Sequence, residues 1–455
     1  MASNSNSDVV VVMVPFPEYG HQIPLLRLSQ LISSYNIPVH YMSIGARNQE
    51  LKQRQQNQQQ FPKIQFHNLS ITSKENADEE DYLSYLESLL QIGEPLRAIC
   101  HSNNGKRVVI IHDAMMQYVV ETVYTISHVE TYFFHAVSAF TTYSMLQQIR
   151  EDEDEENEEN SKYNDVLFSS LQAHVPSIES CFKPGMGEFT KLLRDCKFKS
   201  GEILNTCREI EEPYLDALCK QSDTPFWGLG PFNPVNIVQD TGKIHRCIEW
   251  LDKQPVNSVI FVSFGTANDF SIEQIHEIAI GLERSEQKFI WVLRGKDKKG
   301  ENLTSEIQEI ELPNGFEERV KERGIIAREW VPQLEILAHP STGGYFFHSG
   351  WNSFLESATM GVPMATWPLN SDNPYNDVLI TKVLRIGLVV RDWAHKDELM
   401  KSDKIEIGVR TLMNSPEGEE MRQRAVELSK AIKMSVGDGG SQKKQMDSFI
   451  AHITR

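Results

Sequence analysis

Residues 330–373 of this chain combine a turn and several side chains that could bind a nucleoside diphosphate. Within them, GGYFF is typical of a buried strand, HSGWNS of a small turn and FLESATMG of a helix. Such a turn presents backbone N–H groups to an anion, which predicts a diphosphate site. His348 and Ser353 could donate hydrogen bonds to phosphate oxygens. Trp330 offers a flat face to a base, and Glu356 could accept hydrogen bonds from ribose hydroxyls.

A histidine and an aspartate are predicted at the carboxyl ends of two strands, where open α/β sheets bind ligands. His21 follows the apolar run DVVVVMV, and Asp113 ends the run VVIIHD. A hydroxyl group has a pKa far above 7, so activating it needs a base such as imidazole. Asp113 could fix the tautomer of that imidazole or cap the next helix, while His112 should point to the opposite face. By itself, a histidine after a glycine is more often a surface or packing residue.

The elements that would hold these residues alternate between strand and helix. A Pro- and Gly-rich stretch separates a first series, from DVVVVMV onwards, from a second series that begins at VIFVSFG. The pattern predicts an N-terminal α/β domain at 1–236, a linker at 237–256 and a second α/β domain at 257–435. A C-terminal helix at 436–455 is expected to pack back on the first domain. The acidic run at 151–161 should form a solvated loop of the first domain.

Composition and charge exclude several classes of protein. The chain has 455 residues, of which 40% are hydrophobic and 24% charged, as is usual for a globular protein. A formal net charge of −18 opposes binding to nucleic acid or to an anionic membrane. The six cysteines lack metal-ligand spacing, and the first turn lacks the G-x-G-x-x-G of an NAD-dependent oxidoreductase. The apolar run near the N-terminus is too short to span a membrane and no basic residues precede it, and the sequence has no heptads, so we expect a cytoplasmic monomer that does not insert into membranes.

The segment 330–373 resembles the donor-binding signature of plant family 1 UDP-glycosyltransferases. It has W-x-P-Q, H-x-G-W-N-S, the glutamate and G-V-P in the order and at the spacing of that signature. The resemblance extends over nearly the whole chain, including PFPEYGHQIPLL and SFGT, and MGVPMATWP and SFIAHI look most like the zeatin O-glycosyltransferase group. It implies a GT-B fold, in which two Rossmann-like doubly wound α/β domains face each other across a cleft.

By the pattern of that family, the second domain binds the UDP-sugar. Trp330 would stack on uracil while the Val331 backbone reads its edge. The resemblance implies that Gln333 and Glu356 hold the ribose and that Asp372 and Asn373 bind the sugar. The residues implied to contact the phosphates are Thr266, His348, Gly350, Trp351, Asn352 and Ser353.

The chain departs from the usual family signature at two positions. Ser349 stands where the family has a cysteine, which exchanges one small residue for another. Asn373 stands where the family has a glutamine, and it is one methylene shorter at a position that reads sugar hydroxyls. UDP-glucose is therefore the first choice of donor, and UDP-xylose or UDP-rhamnose stays open.

The resemblance also implies the reaction. His21 would deprotonate the acceptor, Asp113 would stabilise the imidazolium, and the hydroxyl would displace UDP in one inverting step. The UDP-sugar would be a co-substrate, and no cofactor is expected. No metal is expected either, because a helix N-terminus and His348 can stabilise the leaving diphosphate, and the sequence has no D-x-D motif.

The acceptor is expected to be a small plant metabolite such as zeatin, with a flavonoid, a terpenoid or an existing glycoside as alternatives. Its candidate contacts flank His21 or follow a strand end, and they are Glu18, Tyr19, Phe134, His135 and Ser138. The alternative from another class is a non-catalytic protein that binds a nucleotide sugar or a hormone. Such a binder would have no need of the base.

Overall fold

A computed structural model of the chain describes residues 8–45, 48, 63–71, 82–156, 166–237, 244–265, 270–293 and 310–455. No helix in these ranges is long and apolar enough to cross a membrane. The strands are β1 (Val9–Val14), β2 (Val39–Ile44), β3 (Ile64–Leu69), β4 (Arg107–Asp113), β5 (Val129–His135), β6 (Lys199–Leu204), β7 (Phe226–Gly228), β8 (Val259–Ser263), β9 (Lys288–Val292), β10 (Gly324–Ala327), β11 (Thr342–Phe347), β12 (Met364–Thr366) and β13 (Gly387–Val389).

The strands of the described ranges form two separate parallel sheets. The first has the order β3-β2-β1-β4-β5-β6-β7, and the second has the order β10-β9-β8-β11-β12-β13. In each sheet the strand order reverses beside the first strand, between β1 and β4 and between β8 and β11. This reversal defines a doubly wound sheet, in which ligands bind beyond the carboxyl ends of the strands at the switch point. The predicted α/β class is confirmed.

Helices connect the strands and cover both sheets. They are α1 (Tyr19–Ser34), α2 (Tyr82–Leu89), α3 (Gly93–Ser102), α4 (Gln117–Val120), α5 (Ala139–Glu156), α6 (Val166–Ser169), α7 (Ile178–Cys181), α8 (Met186–Asp195), α9 (Arg208–Gln221), α10 (Arg246–Leu251), α11 (Ile272–Ser285), α12 (Phe316–Val320), α13 (Gln333–Ala338), α14 (Trp351–Met360), α15 (Asn373–Val378), α16 (Ser402–Asn414), α17 (Pro416–Val436) and α18 (Ser441–Ile453).

The continuous apolar sequence of β1 follows from burial on both faces of its sheet. Val11 and Met13 pack in a core that includes residues of α1 and α18. Val12 and Val14 pack in another core, with residues of α2 and α3. Parallel strands covered by helices on both sides need apolar residues at every position, so β1 shows no alternation.

The chain divides into two compact units that are each assembled from separate segments. Unit 1 comprises Met1–Leu146, Gly187–Asn233 and Ser435–Arg455, and unit 2 comprises Gln147–Met186 and Pro234–Met434. Unit 1 therefore contains the first sheet and α18, and unit 2 contains the second sheet.

These units differ from the predicted domains in two respects. Residues 147–186 were expected in the N-terminal domain but belong to unit 2. The expected linker at 237–256 contains α10, which belongs to unit 2 and has buried apolar side chains. The acidic run begins as the last part of α5, which continues to Glu156, and residues 157–165 lie outside the described ranges.

Candidate functional site

His21 and Asp113 form a hydrogen-bonded pair in unit 1. His21 lies in the first turn of α1, and its Nδ1 is 2.7 Å from Oδ2 of Asp113 at the end of β4. The two residues meet because β1 and β4 are paired neighbours, which brings their carboxyl ends together. The Asp113 side chain is 2% exposed, whereas that of His21 is 25% exposed. The imidazole can therefore reach a substrate while the carboxylate stays protected from water.

The second oxygen of Asp113 caps the next short helix. Oδ1 accepts a hydrogen bond from the backbone N–H of Met115 at 2.9 Å, at the start of the 3₁₀ turn Ala114–Met116. The backbone carbonyl of Asp113 accepts a hydrogen bond from Nδ1 of His112, also at 2.9 Å. His112 lies on the other face of the strand, against Phe133, and burial lowers its pKa to about 4. Asp113 is thus fixed in one orientation by its neighbours.

The pair has the geometry of a general base and the group that orients it. A carboxylate only accepts hydrogen bonds, so Nδ1 of His21 must carry a proton. In the neutral imidazole, Nε2 then holds the lone pair and can take a proton from a hydroxyl. The carboxylate would also stabilise the imidazolium that forms.

In unit 2, Gln333 connects three side chains beside the predicted nucleotide site. Its amide nitrogen donates to Oε2 of Glu356 at 2.8 Å and to Oγ of Ser353 at 3.1 Å. Its amide oxygen accepts a hydrogen bond from the Tyr345 hydroxyl at 3.1 Å. Gln333 begins α13, and Ser353 and Glu356 lie in the first turns of α14. The network fixes the Glu356 carboxylate, and Tyr345 is a supporting residue that no sequence motif identifies.

A strained turn joins β11 to α14. Ser349 has a φ of 64°, in the left-handed region, and Gly350 is the N-cap residue of the helix. A Cβ atom on Gly350 would lie 2.3 Å from Nε2 of His348, so only glycine fits beside that imidazole. The first N–H groups of a helix have no acceptor within the helix, so the N-terminus of α14 that follows this turn is where an anion can bind.

His348 directly follows β11 and is partly buried, and this burial lowers its pKa to about 4. The imidazole is therefore expected to be neutral at physiological pH. A neutral ring can donate one hydrogen bond to a phosphate oxygen without the cost of a buried positive charge. The positive end of the α14 dipole supplies the remaining attraction for a diphosphate.

The aromatic residues of the predicted donor site differ in exposure. Trp330 is 53% exposed, which leaves its indole face open for stacking. Val331 is buried, which leaves its backbone as the group available to a base. The Trp351 ring is buried and stacks on Phe354 at 4.8 Å, so its side chain serves packing. Asn352 is partly buried in the first turn of α14.

Asp372 and Asn373 lie at the start of α15, next to the turn at Ser349. Oδ2 of Asp372 accepts a hydrogen bond from Nδ2 of Asn376 at 2.8 Å, and Nδ2 of Asn376 also donates to the Ser349 carbonyl at 3.0 Å. When the Asn373 amide is oriented to satisfy its neighbours, its nitrogen donates to the carbonyl oxygens of His348 at 2.8 Å and Asn370 at 3.2 Å. The predicted sugar residues are therefore tied to the predicted phosphate turn. Asn376 is a second supporting residue that sequence reasoning missed.

The predicted acceptor contacts are not alike. Phe134 and Ser138 are fully buried in unit 1, where Phe134 belongs to the core and Ser138 caps α5 through Thr141. Both side chains therefore have a packing or capping role in unit 1, and their contact with an acceptor stays a prediction. Glu18 is exposed at the N-cap of α1, and Tyr19 is partly buried.

His135 belongs to a buried ionic group at the end of β5. Its Nε2 is 2.6 Å from Oε2 of Glu202, whose other oxygen is 2.8 Å from Nζ of Lys199. Burial opposes the charged form of Glu202, but its hydrogen bonds and charge interactions with His135 and Lys199 outweigh this effect and lower its pKa. Glu202 thus holds the imidazole of His135 in place, and its contact with an acceptor stays a prediction.

Two further points concern predicted binding groups. Thr266 lies outside the described residues. Within the described ranges, no group of three or more His, Cys, Asp or Glu residues is placed to hold a metal ion.

The sequence matches family profiles over nearly its whole length. Residues 7–234 match the family described as "Glycosyltransferase, N-terminal domain", and residues 240–431 match "UDP-glucoronosyl and UDP-glucosyl transferase". The chain belongs to the UDP-glycosyltransferase family. Like its relatives, this UDP-glycosyltransferase is an enzyme that uses a UDP-sugar as co-substrate for transfer of the sugar to a hydroxyl group.

Two relatives resemble this UDP-glycosyltransferase from end to end. A zeatin O-glucosyltransferase of Phaseolus lunatus is 44% identical, over 98% of this chain and 97% of the relative. A zeatin O-xylosyltransferase of Phaseolus vulgaris is 42% identical, over 100% of both chains. Among solved structures, Phytolacca americana UGT2 in complex with UDP-2fluoro-glucose and pterostilbene has a TM-score of 0.77 and 25% identity, over 98% of this chain and 100% of that one. The predicted GT-B fold is confirmed.

Proposed function

We propose that this enzyme transfers glucose from UDP-glucose to a hydroxyl of a zeatin-like molecule in a single inverting displacement. The observation that carries the mechanism is the hydrogen bond between His21 and Asp113. The zeatin-like acceptor is supported by the zeatin glycosyltransferases that are 44% and 42% identical over nearly the whole chain.

The mechanism assigns one chemical task to each unit. Nε2 of His21 in unit 1 takes the proton of the acceptor hydroxyl as the oxygen attacks C1 of the sugar. The bond between C1 and the β-phosphate oxygen breaks as the new bond forms, so the configuration at C1 inverts. In unit 2, the N-terminus of α14, His348 and Ser353 stabilise the charge that develops on UDP.

Donor recognition is proposed to follow the three parts of the UDP-sugar. The exposed Trp330 ring stacks on uracil, and the Val331 backbone bonds to its edge. Glu356, oriented by Gln333, accepts hydrogen bonds from the ribose hydroxyls. Asp372 and Asn373 bind the sugar hydroxyls, and because Asn373 is short, UDP-xylose and UDP-rhamnose are the alternative donors to test.

The proposed working state is a cytoplasmic monomer that needs no metal and binds only the donor and the acceptor. Size-exclusion chromatography with light scattering on the full chain tests whether the enzyme is a monomer. A stable dimer at the concentrations used for assays would contradict it.

A UDP-release assay tests the proposed activity. Purified enzyme is combined with UDP-glucose, UDP-xylose or UDP-rhamnose, and with trans-zeatin, cis-zeatin, a flavonol or a flavonoid glycoside. We expect turnover of a zeatin with UDP-glucose, and loss of this turnover by about a hundredfold or more in His21→Ala. UDP binding, measured by calorimetry, should be unchanged in the variant.

The other outcomes separate the parts of the proposal. Turnover of only the flavonol or the glycoside would overturn the zeatin-like acceptor. Turnover with only UDP-xylose or UDP-rhamnose would overturn glucose as the donor sugar. Full activity of His21→Ala would overturn its assignment as the base.

A further inference from the structure

The residue before Asp372 has a backbone conformation that needs outside support. Ser371 has a φ of 55°, in the left-handed region that non-glycine residues rarely occupy. Such a conformation is unfavourable for a residue with a side chain and persists only where surrounding structure holds it. The backbone N–H of Ser371 donates to the carbonyl oxygen of Cys181 at 3.0 Å. That partner comes from residues 147–186, the segment that we had expected in the other domain.

The Cys181 carbonyl belongs to residues 177–182, called here the 177–182 turn. Ser180 of this turn is hydrogen-bonded to Trp393 and Lys396. The Ser180 carbonyl accepts a hydrogen bond from Nζ of Lys396 at 2.6 Å, and its Oγ accepts one from Nε1 of Trp393 at 3.2 Å. Nζ of Lys396 also lies 4.3 Å from the centre of the Trp393 ring. These bonds fix the Cys181 carbonyl that Ser371 uses.

Gln148 joins the 177–182 turn to α15. Its amide oxygen accepts a hydrogen bond from the Ile178 backbone N–H at 3.1 Å, and its amide nitrogen donates to the Pro176 carbonyl at 3.0 Å. The same nitrogen is 3.4 Å from the Tyr375 hydroxyl. The ring of Tyr375 also packs against Phe182, with 6.2 Å between ring centres. One side chain of α5 therefore orients both the turn and the helix that begins at Asn373.

The contacts of this turn favour the sugar part of the donor site. The turn contacts residues that flank Asp372 and Asn373, whereas Gln333 and Glu356 are fixed by a separate network with Tyr345. The Cys181 thiol is buried beside the Asp372 carboxylate, and burial, aided by this carboxylate, raises its pKa to about 11. It therefore adds no second negative charge there.

We propose that the 177–182 turn and Gln148 position the sugar-binding residues and so determine which donor sugar the enzyme accepts. They hold the left-handed backbone of Ser371 in place, and this backbone sets the direction of the Asp372 and Asn373 side chains. The inference rests on the proposed roles of Asp372 and Asn373 as sugar-binding residues. It assigns a donor-selectivity element to a segment far from the signature at 330–373.

The test compares Gln148→Ala with Gln172→Ala, a matched control. Gln172 lies in the same segment but is exposed and bonds to Glu151. Calorimetry on the full chain gives dissociation constants for UDP, UDP-glucose and UDP-xylose. In Gln148→Ala, we expect the ratio between the two UDP-sugars to change about fivefold, the effect of one or two lost hydrogen bonds. UDP affinity should stay within about twofold, because its binding groups are held elsewhere. The control should match the wild type in all three.

A milder variant decides the question if Gln148→Ala does not fold. Trp393→Phe removes the indole N–H that bonds to Ser180 and keeps a ring for Lys396, so it should change the ratio in the same direction. An unchanged ratio in every folded variant, or an equal loss of UDP affinity, would overturn the inference. Wild-type protein that binds UDP but neither UDP-sugar would instead overturn the proposed sugar-binding roles themselves.

Discussion

At the scale of single residues, the resemblance to the family predicts the proposed base and its partner, and the fold gives a physical reason why the two meet. Asp113 ends β4 and His21 lies in the helix that follows β1, and parallel strands bring their carboxyl ends to one edge of a sheet. The structure adds what the sequence leaves open, namely that β1 and β4 are neighbours. It also shows that Asp113 uses one oxygen for His21 and the other for Met115.

This division of the Asp113 carboxylate predicts that its two roles can be separated by mutation. Asp113→Asn keeps an oxygen that can accept the Met115 N–H, so the melting temperature should stay near that of the wild type. The amide lacks the negative charge that stabilises the imidazolium, so kcat should fall by about a hundredfold or more. Steady-state kinetics and thermal melting measure the two effects.

Asp113→Ala is the matched comparison, because it should lose the helix cap as well and be less stable by about 1 kcal/mol. Wild-type kcat in Asp113→Asn would contradict a charge-stabilising role. An equal loss of stability in both variants would show that the amide does not replace the cap.

Other residues could not be placed from sequence alone. Phe134 follows the same strand-end rule as His21, yet it is fully buried and stacks on Phe232. In a strand buried on both faces, composition does not reveal which residue at its end reaches solvent. Asn373 was singled out by its type, but its bond to the His348 carbonyl depends on how two distant turns fold together.

At the scale of secondary-structure elements, the N-terminus of α14 predicts how the enzyme responds to metal removal. The turn at Ser349 and Gly350, the helix dipole and the neutral His348 provide donors for a leaving diphosphate. Turnover should therefore be unchanged after dialysis against EDTA, measured by UDP release without added metal. Loss of turnover that manganese restores would contradict this account of leaving-group stabilisation.

A second feature at this scale is the hydrogen bond between Asp377 of α15 and Thr366 of β12. The Thr366 hydroxyl contacts Oδ1 of Asp377 and also lies 3.1 Å from the Leu388 carbonyl. A hydroxyl has only one hydrogen, so it can donate to only one of these two acceptors. A protonated Asp377 resolves the conflict, because its O–H donates to Thr366, which then donates to Leu388. In agreement, burial raises the pKa of Asp377 to about 7.

This protonated carboxyl predicts a pH dependence of stability. The folded pKa lies above the unfolded value of 3.8, so the folded state binds more protons between these values. The free energy of unfolding should therefore fall as pH rises from about 4 to about 7, by at most about 4 kcal/mol from this group. Glu211, whose pKa is raised to about 7 by burial, acts in the same direction.

Asp377→Asn keeps a neutral donor to Thr366, so its stability should fall less between about pH 4 and about pH 7 than that of the wild type. Urea unfolding at several pH values measures this difference. Asp403→Asn, at an exposed position, is the control and should follow the wild-type dependence. Parallel pH dependences in all three proteins would contradict a protonated Asp377.

At the scale of the whole molecule, the sequence predicts two α/β halves, but it does not show which segments of the chain belong to which unit. Strand and helix patterns reveal each element and its type, and the break near residue 236 is marked by proline and glycine. Nothing in the pattern of 147–186 shows which sheet it joins, because its helices are short and its contacts are made with distant residues such as Ser371. The membership of such a segment is decided by packing.

The return of the chain to unit 1 predicts that its last helix is needed for the stability of that unit. Phe449 of α18 is fully buried, with its ring centre 5.2 Å from that of Trp227 and 5.7 Å from that of Tyr132. Phe449→Ala should lower the free energy of unfolding of unit 1 by about 3–5 kcal/mol, through lost burial and a cavity. Phe198→Ala, in the same unit but 61% exposed, is the matched control and should cost less than about 1 kcal/mol. Urea unfolding, followed by tryptophan fluorescence, gives the free energy of unfolding of both variants. Equal values for Phe449→Ala and Phe198→Ala would contradict a core role for α18.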